Sequence, residues 1–463
     1  MKPVIPLVLM LLLSGCTVGP DYQRPAMAIP IHYKEAKGWQ QATPRDHQGK
    51  GEWWAVYHDA TLSGLLSQVS ISNQNVANYA AQYRQAQALA SESRAALFPS
   101  LGYDSSVTRS GSHATSSSAR TTSSSSHQAE VSASWELDLW GKLRRTLEEN
   151  RASAAASAAE LANITLSAQS ELAQDYFQLR FIDQKIALYQ QSVAAYQRYL
   201  RVITNQYQAG TASLATQAQA QMQLESASAS AQDYQWQRAR MEHAIALLVG
   251  KAPADFSLPA APLHATLPTV PAGLPSQLLQ RRPDIAYAER NMAAANAAVG
   301  VAVAGYYPDL TLSASGGVSS SALHSLFSLP NRVWSLGPAL SGTLLDFGAT
   351  PAQVDQARAS WDASVASYRQ TVLAALQEVE DQLVELNTLQ GEITAQQRAA
   401  VAAQTSARVT RNQYQAGMID YLDVATTENS SLTEQQSLLT LQSSQWVSSV
   451  ALITALGGGW QTP

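Results

Sequence analysis

The chain has 463 residues, of which only 14% are charged, and a formal net charge of −5. That balance lacks the basic surface a nucleic-acid binder needs, so nucleic acid is excluded as a partner. One cysteine, Cys16, leaves no room for a disulfide framework or a thiolate metal site, and long Ala-, Ser- and Gln-rich stretches argue against an ordinary globule.

The N-terminus reads Met1-Lys2, an apolar run from Val4 to Leu13, then Ser14-Gly15-Cys16. A positive start, a short apolar core and small residues before a cut site predict a secretory signal peptide over 1–15. The run is too short to span a membrane as a helix. Small residues followed by Cys are the pattern of lipoprotein cleavage, which predicts a covalent lipid on Cys16 and no other cofactor. Thr17, not Asp, at the next position points to delivery to the outer membrane. A lipid anchors but does not span. No later segment approaches the length of a transmembrane helix, so any spanning part must be β-barrel. The segment 16–72, with Pro20, Pro25, Pro30 and Pro44, reads as lipid-anchored and irregular.

From there the chain is written twice. Asn205-Gln206-Tyr207-Gln208-Ala209-Gly210 recurs as Asn412-Gln413-Tyr414-Gln415-Ala416-Gly417, an offset of 207. Phe98-Pro99 is echoed by Tyr307-Pro308 at offset 209, and Trp140-Gly141 by Phe347-Gly348 at offset 207. The repeats are placed at 73–257 and 284–463, with a proline-rich linker over 258–283. Each carries a helix, two strands, a very long helix, a turn and a returning helix. In the first these are helix 73–97, strands 101–112 and 128–139, helix 142–207, a turn at Gly210 and helix 214–249. In the second they are helix 284–306, strands 310–318 and 334–346, helix 350–414, a turn at Gly417 and helix 420–456.

Residues 128–139 alternate, with Ala129, Val131, Ala133, Trp135, Leu137 and Leu139 on one face and Gln128, Glu130, Ser132, Ser134, Glu136 and Asp138 on the other. Period two over this length predicts a strand, either in a half-buried soluble sheet or in a barrel wall between lipid and water. The Ser/Thr/Gly-rich stretch 105–126 has no core-forming power and is expected to form a loop on the outer surface. Four strands cannot close a barrel alone, because open edges are not tolerated in lipid. Two copies give eight strands, a barrel filled by its own side chains; three give twelve and a lumen. A pore therefore favours a trimer. In the long helix, Leu172, Tyr176, Leu179, Ile182, Ile186, Tyr189, Val193, Tyr196, Leu200, Ile203 and Tyr207 fall at near-heptad spacing, the mark of coiled-coil packing. Roughly 66 residues at 1.5 Å rise make about 100 Å of helix.

Several motifs then match a known family. Leu278-Leu279-Gln280-Arg281-Arg282-Pro283-Asp284-Ile285, Gly19-Pro20-Asp21-Tyr22, Asp138-Leu139-Trp140-Gly141, the two Tyr-Gln-Ala-Gly turns and Leu456-Gly457-Gly458-Gly459-Trp460 all contribute. Over its whole length the sequence resembles the outer-membrane factors, the TolC-type channels, and within them the NodT-type lipoprotein branch. The resemblance implies a mainly α fold with membrane β. It further implies a homotrimer with a 12-stranded β-barrel continuing into a 12-helix α-barrel periplasmic tunnel, and a mixed belt around the middle that includes 16–72. Implied partners are a periplasmic adaptor (membrane fusion) protein, an inner-membrane transporter of the RND class, and outer-membrane lipid. The implied function is passive, gated export of drugs or other small molecules. A type I protein-secretion duct shares the fold and stays open as an alternative, as does a non-conducting coiled-coil lipoprotein scaffold.

The turns carry the expected gate. Gly417-Met418-Ile419-Asp420-Tyr421-Leu422-Asp423 places Asp420, Leu422 and Asp423 where threefold rings would narrow a tip. Relatives of this type combine a Leu ring with an Asp ring one turn later; here that position is Thr426, which leaves Asp420 or Asp423 to substitute. Helix capping is the alternative role for both aspartates. Gly210 and Gly417 permit tight turns, and the family role adds contact with adaptor tips. Arg281, Arg282, Pro283 and Asp284 read as a structural motif that pairs charges at a helix start. No Gly-x-Ser-x-Gly, His-Glu-x-x-His or phosphate-loop sequence is present, so no enzyme is expected.

Overall fold

The computed structural model describes residues 17–27, 34, 51–112, 122–268 and 281–458. The expected signal peptide, Cys16, part of the linker and Gly459-Trp460 lie outside these residues.

The elements in chain order are α1 (Ala60–Ser72), α2 (Gln74–Ala95), β1 (Ser100–Ser112), β2 (Thr122–Leu137), α3 (Lys142–Gln208) and α4 (Leu214–Leu248). After the linker come α5 (Pro283–Ala304), β3 (Asp309–Ser320), β4 (Arg332–Ser341), α6 (Ala349–Gln415) and α7 (Tyr421–Ala455). The long helices α3 and α6 have 67 residues each, and α4 and α7 have 35 each, so the duplication is exact in helix length. No described helix is long and apolar enough to cross a membrane.

The chain forms two compact units, and they do not follow the repeats. One takes 81–158 and 287–369 together with the N-terminal residues up to Ala26; the other takes 27–80, 159–286 and 370–463. Both repeats contribute to both units: β2 of the first repeat pairs with β3 of the second in one, and residues of both repeats such as Leu172 and Val450 share a core in the other.

In the first unit the strands form one antiparallel sheet in the order β1-β2-β3-β4. Its register sorts the side chains. Tyr103, Val131, Gly316 and Trp334 lie in one row across the sheet, and Leu101, Ala133, Ala314 and Leu336 in another, all on one face. Asp104, Glu130, Gly317 and Val333 share a row on the opposite face, in which Val333 is the one apolar side chain; Gly102, Ser132, Ser315 and Ser335 share another. One face is thus apolar and the other polar and acidic. Leu101, Tyr103, Val107, Val131, Trp334, Leu336 and Leu340 remain exposed.

Three expectations about the strands and their loop are corrected here. Much of the serine-rich stretch expected as a loop is ladder: Ser105 to Ser112 pair with Ala129 to Thr122. Cross-strand hydroxyl contacts such as Ser110–Ser124 at 2.9 Å offset the weak strand preference of serine. At the other end β2 stops at Leu137 and not at 139, since Asp138 turns to accept from the backbone N–H groups of Leu143 and Arg144. Strand β4 covers Arg332–Ser341, not 334–346, because residues beyond Ser341 have no partner strand among the described residues.

The N-terminal residues are built into this unit. Val18 N–H donates to Trp140 O at 3.0 Å, and Asn296 Nδ2 donates to Pro20 O at 3.0 Å. The buried Arg145 guanidinium binds Asp21 at 2.8 Å, Glu148 at 2.7 Å and the carbonyl oxygens of Val18 and Gly19 at 3.3 Å. Arg24 donates to Glu289 at 3.0 Å and to the Tyr368 hydroxyl at 3.2 Å. Gly19 has φ +90°, and a Cβ there would sit 2.4 Å from Gly300 Cα, so no other residue fits.

The second unit has the larger core. A 3-10 turn, Trp53–Tyr57, and helix α1 lie in a segment expected to be irregular. Trp53, Tyr57, Leu62 and Leu66 are buried with Leu172, Phe177, Ile245 and Val450. Two buried hydroxyls are matched: Tyr57 Oη to Ser449 Oγ at 2.8 Å, and Tyr176 O–H to Asp59 at 2.7 Å, while Asp59 also caps α1 through Leu62 N–H. Farther along, Ile182, Tyr189 and Tyr196 pack on Ala227 and Ala231 of α4, whose small side chains let the two helices approach. Of the heptad series, Leu172 to Ile203 are buried or half-buried and Tyr207 is exposed.

Candidate functional site at the paired helix turns

Both helix turns belong to the second unit, and both have the same backbone. Gly210 and Gly417 each have φ +73°, and a Cβ added at either meets nothing within 4 Å. Glycine is therefore required by the left-handed backbone alone, not by crowding. In the first turn Thr211 N–H donates to Gln206 O at 2.8 Å; in the second Met418 N–H donates to Gln413 O at 2.9 Å. These bonds satisfy carbonyl groups at the helix ends.

The returning helices start differently. Ser213 caps α4, accepting from Thr216 N–H at 3.1 Å. Asp420 occupies the equivalent N-cap position of α7, yet its side chain makes no capping bond. The capping role weighed for Asp420 is thus not realised in its side-chain hydrogen bonds. Asp420, Leu422, Asp423 and Thr426 are all exposed, Leu422 at 61%. The three candidate gate residues therefore sit together at the N-cap and in the first turn of α7, shortly after Gly417.

The opposite side of that turn is anchored. Tyr421, Val424 and Ala425 are buried against Ile203 of α3 and Ala220 of α4, with Tyr199, Leu200 and Tyr414 packed around them. The Tyr421 ring lies 5.8 Å from Tyr199 and 6.1 Å from Tyr414. Burial, reinforced by neighbouring tyrosines and Glu428, pushes the Tyr421 phenol far above its ordinary pKa, and its hydroxyl has no partner among the described residues. Tyr414 O–H donates to Gln206 at 3.4 Å, and Tyr189 O–H donates to Gln436 at 2.7 Å, each joining the two hairpins. Within the second hairpin Arg411 Nε donates to Glu428 at 2.9 Å. This aromatic cluster was not read from the sequence. Its only local signal was the polar-to-apolar phase of Tyr421, Val424 and Ala425 at helical spacing.

The Arg281–Asp284 motif forms a separate group in the same unit. Pro283 is the first residue of α5, and Asp284 lies in its first turn. Arg282, largely buried, grips Asp284 with two bonds of 3.0 and 2.6 Å, reaches Glu378 of α6 at 2.6 Å and donates to Ala455 O of α7 at 3.0 Å. Gly457 passes so close to Arg281 that a Cβ would lie 2.8 Å from its carbonyl carbon. One guanidinium thus ties the start of α5 to α6 and to the end of α7. No group of His, Cys, Asp and Glu among the described residues could hold a metal ion.

Comparisons with known proteins agree with one another. The outer membrane efflux protein family matches in two segments, 65–251 and 274–458. The chain is 30% identical to the cation efflux system protein CusC of Escherichia coli O6:H1 over 99% of each chain. It is 29% identical to the probable efflux pump outer membrane protein TtgC of Pseudomonas putida, over 97% of this chain and 94% of that one. Among solved structures it resembles the outer-membrane channel OprN, with TM-score 0.86 and 29% identity, covering 96% of this chain and all of the other. It also resembles the Neisseria gonorrhoeae MtrE outer membrane channel in its open state, with TM-score 0.84 and 26% identity, over 96% of this chain and 98% of that one.

Proposed function

Given that the chain belongs to the outer membrane efflux protein family, we propose that three copies assemble into the outer-membrane duct of a tripartite efflux pump. Each contributes four strands to a twelve-stranded barrel and its long helices to a twelve-helix periplasmic tunnel. The observation that carries this reading is the sheet. It has an apolar face across all four strands, a polar acidic face behind it, and unpaired outer edges at β1 and β4. Lipid satisfies the first face, a water-filled lumen the second, and only a further copy the edges.

The chain supplies a path and a gate, and the energy comes from an inner-membrane transporter of the RND class through a periplasmic adaptor that meets the turns at Gly210 and Gly417. Cys16 carries the lipid, and the contacts of residues 18–24 with the first unit fix where that lipid is tethered. Asp420, Leu422 and Asp423, on the exposed turn of α7, form the closing rings. The aromatic cluster behind Tyr421 holds that turn in place, so opening requires the second hairpin to shift against the first. The cargo is small: cations, as the name cation efflux system protein indicates for CusC, or drugs and other small molecules.

Planar-bilayer recording tests the reading. The unsubstituted protein should give small, brief openings, and Asp420→Ala or Asp423→Ala should lengthen them. Absence of any current would instead favour a non-conducting scaffold. Unaltered openings in both variants would move the gate elsewhere.

A further inference from the structure

We propose that Phe347 of one copy packs against Phe98 of the next, an aromatic joint that repeats between chains the Trp140–Tyr307 stack found within each chain. The proposal rests on the multi-copy duct described above and assigns the contact that closes it at the strand–helix junctions.

The intrachain contact is fully formed. Trp140 follows β2, and Tyr307 precedes β3, its neighbour in the sheet. Their rings stack at 4.7 Å with an interplanar angle of 22°. The indole N–H donates to Pro308 O at 2.9 Å, and Lys142 Nζ binds Asp309 at 3.1 Å beside it.

The repeat supplies the same parts a second time. Trp140-Gly141 corresponds to Phe347-Gly348 and Tyr307-Pro308 to Phe98-Pro99. The flanking glycines correspond as well: Gly141 has φ +84° and Gly348 has φ +97°, and α3 and α6 each begin at the next residue, although of the two aromatic residues only Phe347 has a positive φ, +52°. Phe347 therefore stands to β4 as Trp140 stands to β2, and Phe98 stands to β1 as Tyr307 stands to β3. Within one chain β1 and β4 are the outer strands and do not meet. Accordingly Phe347 is 93% exposed and Phe98 63% exposed.

Carrying the β2–β3 register through the same two offsets tests whether the parts fit. Leu137 opposite Leu310 becomes Leu344 opposite Leu101 of the next copy (137 + 207 = 344; 310 − 209 = 101). Both are exposed apolar residues, and the parity keeps Leu336 and Leu340 of β4 on the same face as Leu101 and Tyr103 of β1. The pairing would also extend β4 beyond Ser341, where its ladder stops for want of a partner. One contact thus gives company to exposed side chains on both edges of the sheet.

The polar part of the junction does not repeat. Ala349 stands where Lys142 would, Ser100 where Asp309 would, and the Phe347 ring has no N–H to donate. The joint between copies is therefore an apolar ring contact with neither ion pair nor indole hydrogen bond, and its strength should not depend on salt.

Phe98→Cys and Phe347→Cys, combined in the full-length protein in outer membranes, should be joined by a bis-maleimide reagent, which bridges a wider gap than a disulfide. A ladder of two and three linked copies is expected, above the background of either single variant. Trp140→Cys with Tyr307→Cys should link without any gain in mass. The copy number of the unsubstituted protein, measured by mass in detergent, separates the failures. Three copies without a ladder overturns the joint alone and leaves the rings to face lipid; a single copy overturns the assembly with it. Phe98→Ala and Phe347→Ala, singly and together, give a second readout in the heat-dissociation temperature of the oligomer. Losses smaller together than the sum support the contact, and strictly additive losses overturn it.

Discussion

Arg411, near the end of α6, donates from Nε to Glu428 of α7 at 2.9 Å, a tie between the two strokes of the second hairpin two turns beyond the exposed start of α7. Glu428 is mostly buried and Arg411 partly exposed, so the pair is discounted for solvent screening to about 1 kcal/mol. Glu428→Gln keeps the shape and removes the charge. Loosening the hairpin by that amount should raise the open probability of the channel about fivefold. Bilayer recordings at moderate and at high salt check this. The parent at high salt should move part of the way toward the variant, and identical records from both proteins would exclude the pair from gating.

Tyr421 is buried with an unpartnered hydroxyl. Removing that hydroxyl costs no hydrogen bond and relieves a desolvated polar group, so Tyr421→Phe should be neutral or stabilising by up to about 1 kcal/mol. Tyr421→Ala empties a ring-sized space between Tyr199 and Tyr414 and should cost about 3–5 kcal/mol. Chemical denaturation of the detergent-solubilised protein measures both. A loss in the Phe variant close to that of the Ala variant would reveal a hydroxyl partner, such as a buried water.

Much of the fold was legible because its signals are periodic. The heptad series on α3, the alternation on β2 and the duplicated turns translate directly into buried stripes, sheet faces and helix ends. What was missed depends on contacts distant in sequence. Serine carries little strand preference, so the pairing of Ser110 with Ser124 is visible only once the hairpin closes. Arg145 has no local mark of its role, yet it gathers Asp21 and two carbonyl groups from residues more than 120 positions earlier. At the candidate site the glycines and the exposed aspartates stood out by residue type. The cluster that anchors them did not, since Tyr199, Tyr414 and Tyr421 converge from three different helices.

Asp175 of α3 is partly buried, and its carboxyl is raised to about 6, first by burial and then by repulsion from Glu171 one turn away. A carboxyl whose folded pKa lies above its unfolded value binds its proton more tightly in the folded state. Stability is then highest below about pH 4, declines as pH rises to about 6, and stays at the lower level above. Asp175→Asn keeps the uncharged form at every pH. The variant should be more stable than the parent at pH 7, by about 1–3 kcal/mol, and should lack the decline between pH 4 and 6. Thermal melts across that window decide the matter; parallel profiles for the two proteins would count against it.

The two faces of the sheet make the most direct prediction about the membrane. Ala314, at the middle of β3, lies opposite Ala133 and Leu336 on the apolar face, while Ser315 lies opposite Ser132 and Ser335 on the polar one. The two positions are adjacent in sequence and share the same backbone, so strand propensity and depth are nearly matched. An arginine on the lipid face of a barrel costs about 2–4 kcal/mol near the midplane, whereas one in the lumen is hydrated. Ala314→Arg should therefore lower the yield of assembled protein in the outer membrane and its resistance to heat. Ser315→Arg should leave both nearly intact and instead change the charge selectivity of the current, since it adds a cation to the face that carries Asp104 and Glu130. If Ser315→Arg disrupts assembly and Ala314→Arg does not, the polar face meets lipid and the sheet is oriented the other way.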